Sequence, residues 1–155
     1  MKILYLENLE LLIDDEDFTR VSTIKWQIKG LGPSIGAKIN GVNVSLAAFV
    51  MKDYRQLYDH KDRDFRNNQK NNLRECDNSQ NGANRRKPKG GTSKYKGVSF
   101  CKQSRIKPWK CGIKVDGYSI HLGYYYTQEE AAMIYNKAAK KHFGEFAVLN
   151  VITTN

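Results

Sequence analysis

The chain has 155 residues, 40% of them hydrophobic, and a formal net charge of +10. That is room for one ordinary domain or two small ones with thin cores, and too apolar for a wholly disordered chain. The charge is uneven: residues 1–59 carry 7 Lys/Arg against 8 Asp/Glu, residues 60–155 carry 19 against 8, so the second part is expected to meet a polyanion, nucleic acid ahead of an anionic membrane surface.

No apolar stretch approaches the roughly 18 residues of a membrane span, and Glu7 and Glu10 interrupt the N-terminal apolar run that a signal peptide would need. Cys76, Cys101 and Cys111 lack CxxC spacing, which points away from structural zinc and toward reduced thiols. A cytoplasmic protein without membrane association is the expectation.

Residues 3–6 and 9–13 read as short strands leading into Asp14-Asp15-Glu16-Asp17, and residues 21–28, with Trp26, as a further strand-like run. Gly30, Gly32 and Gly36 are spaced GxGxxxG with no βαβ context, which is a turn rather than a dinucleotide loop. Asn40-Gly41 is a hairpin signal between residues 37–39 and 42–44. Residues 46–51 are a short apolar run, helix or strand. Residues 84–93 hold four basic residues, one Pro and a Gly pair, and read as a linker whose Arg85 and Arg86 are candidate phosphate contacts.

Beyond the linker, residues 95–101, 109–115 and 118–124 read as three strands, the last two joined at Asp116-Gly117. Thr127 and Glu130 form a capping-box signal for a helix running to about Phe143, with Gly144 as its stop. Its expected apolar stripe is Ala131, Ile134, Tyr135, Ala138 and His142. Strand alternation assigns Cys111, Ile113, Val115, Ile120 and Leu122 to the face under the helix, and Lys110, Gly112, Lys114, Ser119, His121 and Gly123 to the other. That second face is basic, polar and low in relief. It fits a DNA duplex and equally a solvated outer face.

The segments YKGV (95–98), IHLGYY (120–125) and TQEEAAMIYNKAAKKHFGEFAVLN (127–150) resemble an AP2/ERF domain, known from plant transcription factors and as an appendage of phage endonucleases. The resemblance implies that the three-stranded sheet enters the major groove of double-stranded DNA. Carried over by position, the contacts are Lys96, Gly97, Ser99, Lys114, Ser119, His121 and Tyr135; the alternation adds Lys110. The plant pattern has arginine at 96, 99, 114 and 119, Glu at Gly112 and Trp at His121. Arginine reads guanine bidentately where Lys and Ser do not, so DNA binding is expected without the plant sequence preference.

The polar stretch YDHKDRDFRNNQKNNLR (58–74) pairs Asp59 with His60 and sets Asn72 twelve and Asn81 twenty-one positions after the histidine. Leu73 anchors the return, and Asp77 can cap a short helix carrying Asn81. Phosphodiester hydrolysis needs a base for water, a hard cation and groups that fix geometry. Histidine suits the first, and a carboxylate with an amide oxygen suits Mg²⁺.

Asp59-His60, Asn67-Asn68, Asn72-Leu73-Arg74 and Gln80-Asn81 together resemble the HNH endonucleases of phage and homing type, and residues 14–26 (DDEDFTRVSTIKW) resemble their opening segment. The resemblance implies that Asp59 and Asn81 ligate one divalent cation, Mg²⁺ or Mn²⁺. It makes His60 the general base, Asn72 the residue orienting it, Asn68 a loop stabiliser, and Arg74, Arg85 and Arg86 phosphate contacts. The family shows Leu-His-Arg where this chain has Leu46-Ala47-Ala48, and an Asp at Asn67.

The expected fold class is α+β: a ββα-metal (HNH) module with a β-rich N-terminal segment over residues 1–83, a basic linker over 84–93, and an AP2/ERF-like sheet with one helix over 94–151. The expected function is metal-dependent DNA cleavage, in a bacterial host cytoplasm if phage-encoded, with the oligomeric state open and a monomer favoured. The alternative, motivated by Ala47-Ala48, is a DNA-binding protein or regulator with weakened or lost cleavage.

Overall fold

A computed structural model describes residues 1–29, 34–87 and 90–153; residues 30–33, within the turn expected from Gly30, Gly32 and Gly36, and Pro88-Lys89 of the expected linker lie outside the described residues. The chain is α+β and divides into two compact units, Met1–Asp77 and Asn78–Asn155. The helix expected to carry Asn81 falls in the second.

In the first unit, β1 (Lys2–Leu6) and β2 (Leu9–Ile13) form an antiparallel hairpin. The acidic run then opens a helix, α1 (Asp15–Ser22), with Asp15, Glu16 and Asp17 in its first turn, where carboxylates meet the positive end of the helix dipole. Residues 21–28 are therefore not one strand: only β3 (Gln27–Lys29) is extended. It pairs with β4 (Ser34–Ile39), which pairs with β5 (Val42–Ser45). The turn at Asn40-Gly41 has φ of 48° and 82°, the left-handed pair of a two-residue hairpin.

The run at 46–51 is helical, α2 (Leu46–Met51), because Ser45 caps it by accepting from Ala48 N. Ala47 and Ala48 are 6% and 4% exposed, inside the core with Leu11, Ile13, Val21, Trp26 and Leu73. The unit closes with the hairpin of β6 (Leu57–His60) and β7 (Leu73–Cys76), in which Asp59 lies opposite Arg74 and His60 opposite Leu73.

Asp17, 2% exposed, ties these elements together. Its carboxylate takes Arg20 Nη2 at 2.6 Å and Lys70 Nζ at 2.8 Å. Arg20 donates onward to the α2 carbonyls of Phe49 (2.7 Å) and Val50 (3.2 Å) and lies over the Phe49 ring. Burial pushes the Asp17 carboxyl up, but Lys70 and Arg20 more than offset this and hold it below the ordinary carboxylate range. A group lowered in the folded state stabilises fully above its unfolded pKa of about 3.9 and loses that contribution as pH falls through the folded value. Asp17→Asn is expected to cost about 1–3 kcal/mol at pH 7, since both cations are partly solvated. It should also flatten the fall in stability below about pH 4. Urea unfolding at pH 7 and pH 3 checks both effects.

The second unit opens with α3 (Asn78–Asn84) and contains a sheet ordered β10-β9-β8, from β8 (Val98–Phe100), β9 (Trp109–Val115) and β10 (Tyr118–Tyr125). All pairs are antiparallel, and the Asp116-Gly117 turn has φ of 48° and 85°. Helix α4 (Gln128–Phe143) is capped at Thr127, which accepts from Glu130 N at 3.1 Å. The Glu130 carboxylate reaches Tyr126 N rather than Thr127 N. The helix buries Ala131, Ala132, Tyr135, Ala139 and Phe143. The stripe is turned from the expected one: His142 is exposed and Phe143 takes the core position.

Two features depart from simple alternation. The register of β10 shifts between His121 and Gly123: His121 faces Gly112, but Gly123 faces Cys111 and Tyr124 faces Lys110. The bulge at Leu122 moves Gly123 off the open face and brings Tyr124 onto it. Gly97, at φ 74°, is the second. A Cβ there would lie 2.0 Å from Tyr135 Cδ2 and 2.7 Å from the Gly112 carbonyl, so the backbone ahead of β8 passes directly against the Tyr135 ring.

Candidate active site

The stretch between β6 and β7 is a self-capped loop, which explains its Asp and Asn content. Asp62 Oδ1 accepts from Asp64 N, and Asp64 Oδ1 from Arg66 N. Arg63 turns the chain at φ 66°. Asn72 closes the loop: its carbonyl accepts from Lys61 N at 2.9 Å, its Oδ1 from Asp62 N at 3.1 Å, and its Nδ2 donates to Asp62 Oδ1 and the Asn67 carbonyl. Burial raises the Asp62 carboxyl, and hydrogen bonds from Asp64 N and the Asn67 and Asn72 amides bring it below the ordinary range. The loop is docked on the first unit's core by Leu12 N to Arg66 O and Asn68 N to Leu12 O, and by Asp14, which accepts from Gln69 Nε2 and Lys70 N.

His60, half-buried at the end of β6, has Asn68 Oδ1 at 3.2 Å from its Nε2. Asn68 is 1% exposed, and its Nδ2 donates to the Phe65 carbonyl at 3.0 Å. That second bond fixes which end of the amide faces the ring: an oxygen, which calls for a proton on Nε2. In the neutral imidazole so held, Nδ1 is the proton-accepting nitrogen. The amide on the His60 ring is thus Asn68's; the expected orienting residue, Asn72, spends its side chain on Asp62 and Asn67 because its backbone is locked against Lys61.

Asp59, 7% exposed, accepts on Oδ2 from Arg74 Nε (3.1 Å) and Nη2 (3.0 Å). Arg74 was expected on phosphate; cross-strand pairing with Asp59 directs it to the carboxylate instead. Beside them, burial and the Asp59 and Asp77 carboxylates push the Cys76 thiol up to about 11, so Cys76 is no nucleophile at neutral pH. Among the described residues no group of three or more His, Cys, Asp and Glu side chains is placed to hold a metal ion. A carboxylate oxygen such as those of Asp59 has the chemistry of a hard-cation ligand. Asp59 lies in the first unit and Asn81 in the second.

In the second unit the open face of the sheet presents Ser99, Lys110, Lys114, Ser119 and His121, all exposed, with Ser99 opposite Lys110 and Ser119 opposite Lys114. Arg85 and Arg86 are exposed as well. Three expected DNA contacts have other work. Lys96 Nζ donates to the carbonyls of Ala83 and Arg85 at the end of α3, the favourable place for a cation at a helix C-terminus. Its own backbone is clamped by the Asn150 amide, at 2.6 and 3.0 Å. Gly97 is there for close packing. Tyr135, 4% exposed with its phenol pushed up to about 12 by burial, lies in the core beneath the sheet. Sequence reading missed Asn68 on the histidine and Tyr124 on the open face; the Asn67-Asn68 pair was a signal for the first, and nothing local signalled the second.

A histidine hydrogen-bonded to a buried amide is suited to proton transfer, here at the end of a β-hairpin strand. No family model matches the chain, and no solved structure is similar to it. A protein of Acanthamoeba polyphaga mimivirus named as an uncharacterized HNH endonuclease is 35% identical over 137 residues, 85% of this chain and 70% of that protein. The chain belongs to the HNH endonuclease family.

Proposed function

We propose that the protein is a metal-dependent DNA endonuclease in which the first unit carries the catalytic histidine and the second binds double-stranded DNA. The observation that supports this reading is the His60–Asn68–Phe65 chain of contacts: with Asn68 Nδ2 on the Phe65 carbonyl, Asn68 Oδ1 faces His60 Nε2, an arrangement suited to a proton on that nitrogen. His60 Nδ1 takes a proton from water, the resulting hydroxide attacks phosphorus, and the P–O bond on the opposite side breaks with the leaving oxygen taking a proton from solvent. A divalent cation bound through the Asp59 carboxylate would supply charge neutralisation at the scissile phosphate. Asn68→Ala leaves the ring able to turn; about a 10–100-fold fall in cleavage rate is expected, by analogy with residues that only orient a catalytic ligand. Initial rates on plasmid, with binding measured in parallel, check it.

The DNA reading of the second unit rests on charge and face. Residues 78–155 carry 14 Lys/Arg against 4 Asp/Glu, while residues 1–77 carry 12 of each. The AP2/ERF-like assignment is part of this proposal, with Ser99, Lys110, Lys114, Ser119 and His121 as contacts and Arg85 and Arg86 on phosphates. A second reading, DNA binding with little cleavage, is favoured by the Arg74 guanidinium on Asp59, which competes with a cation there.

The test is supercoiled plasmid with Mg²⁺ or Mn²⁺ and with EDTA. Cleavage is expected with metal and abolished by EDTA, while gel shifts in EDTA persist. Binding without cleavage under either metal would favour the second reading. Lys114→Ala should lower the log–log salt slope of binding by about one; an unchanged slope counts against the sheet face.

A further inference from the structure

We propose that Tyr124 is a base-contacting, specificity-determining residue of the second unit's sheet, put there by the bulge at Leu122; this rests on the DNA-binding reading above. Strict alternation from Ser119 and His121 would place Gly123 with them and turn Tyr124 toward the helix side. The register shift reverses that, so Tyr124 stands across from Lys110. Its ring centroid is 4.8 Å from that of His121, with the planes inclined at 58°, and the residue is 39% exposed. The two rings form an aromatic patch on a face whose other long side chains are Lys110 and Lys114. A concavity of about 720 Å³ that His121, Lys110 and Lys114 help to line lies next to the patch, with Tyr124 outside its lining.

The two kinds of side chain do different things to a duplex. Lysine ammonium groups neutralise phosphates, release counterions and bind any sequence. Tyr124 is uncharged and braced by its neighbour. It offers an apolar ring face and one hydroxyl, suited to a thymine methyl or a base edge in the major groove. Tyr126, more exposed at 59%, instead lies beneath the Lys107 ammonium.

The experiment begins with a duplex selected from a random pool by the full-length wild-type protein in EDTA. Affinity is then measured against salt for that duplex and a scrambled one, using wild type, Tyr124→Ala, Tyr124→Thr and Lys114→Ala. Tyr124→Thr keeps a strand-forming residue and guards against local unfolding. The expected result is a loss of about tenfold or more on the selected duplex for both Tyr124 variants, little change on the scrambled one, and an unchanged salt slope. Equal affinity on both duplexes, or a lowered slope on both, overturns the inference. Failure of the underlying reading looks different: Lys114→Ala leaves the slope untouched and wild type binds neither duplex in a salt-dependent way.

Discussion

Gly97→Ala is expected to destabilise the second unit by about 2–5 kcal/mol. A methyl at this position would sit 2.0 Å from one Tyr135 ring atom, 2.3 Å from the next and 2.7 Å from the Gly112 carbonyl. Neither neighbour can give way. Tyr135 is packed in the core at 4% exposure, and Gly112 N is hydrogen-bonded back to the Gly97 carbonyl at 2.9 Å. Overpacking costs about 1–3 kcal/mol, and the left-handed φ of 74° adds about 1–2 kcal/mol for any residue with a Cβ. For a unit of this size that is a fall of about 10 °C or more in melting temperature. Gly117→Ala is the control: φ is 85°, but open space surrounds the added Cβ, so only the conformational cost applies. Melting followed by circular dichroism separates them, and equal melting temperatures would contradict the close approach.

His60→Ala is expected to have the largest effect on activity. General-base catalysis contributes roughly 10²–10⁴-fold, and the described carboxylates around His60 already carry partners, Asp64 among them through Arg66. Asn68 and Asn72 are amides, Asp62 is occupied by the Asn67 and Asn72 amides and the Asp64 backbone, and Asp59 is engaged by Arg74. The substitution should leave the fold intact, because the loop is closed by Asn72 and docked through Asp14 and Leu12 rather than by the imidazole. DNA binding should survive with it.

What was legible in the sequence was what local chemistry decides. The turns at Asn40-Gly41 and Asp116-Gly117 and the Thr127 cap follow from residues within a few positions of one another. Helix α1 was not legible as such because Val21, Ile24, Trp26 and Ile28 look like a strand. Its acidic first turn and the burial of Asp17 against Arg20 and Lys70 decide for helix, and Lys70 comes from far along the chain. The role of Asn68 rather than Asn72 on the imidazole could not be told from four similar asparagines. It is set by where the loop docks on Leu12. The bulge that carries Tyr124 across the sheet leaves no local mark beyond Gly123 itself, at φ 121°. Ala47 and Ala48, where the resembled pattern has His and Arg, prove to be core positions of α2, so their small size fills a tightly packed site that a charged side chain would disrupt.

The central claim, that His60 activates water for DNA cleavage, is met most directly by one side-by-side measurement. Wild type and His60→Ala, at protein concentrations where gel shifts show equal binding, are incubated with supercoiled plasmid and Mg²⁺ or Mn²⁺, and the loss of supercoiled substrate is timed. Wild type is expected to cleave, and His60→Ala to cleave at a rate lower by roughly 100-fold or more. Equal rates for the two proteins, or a plasmid left intact by wild type with both metals, would contradict it.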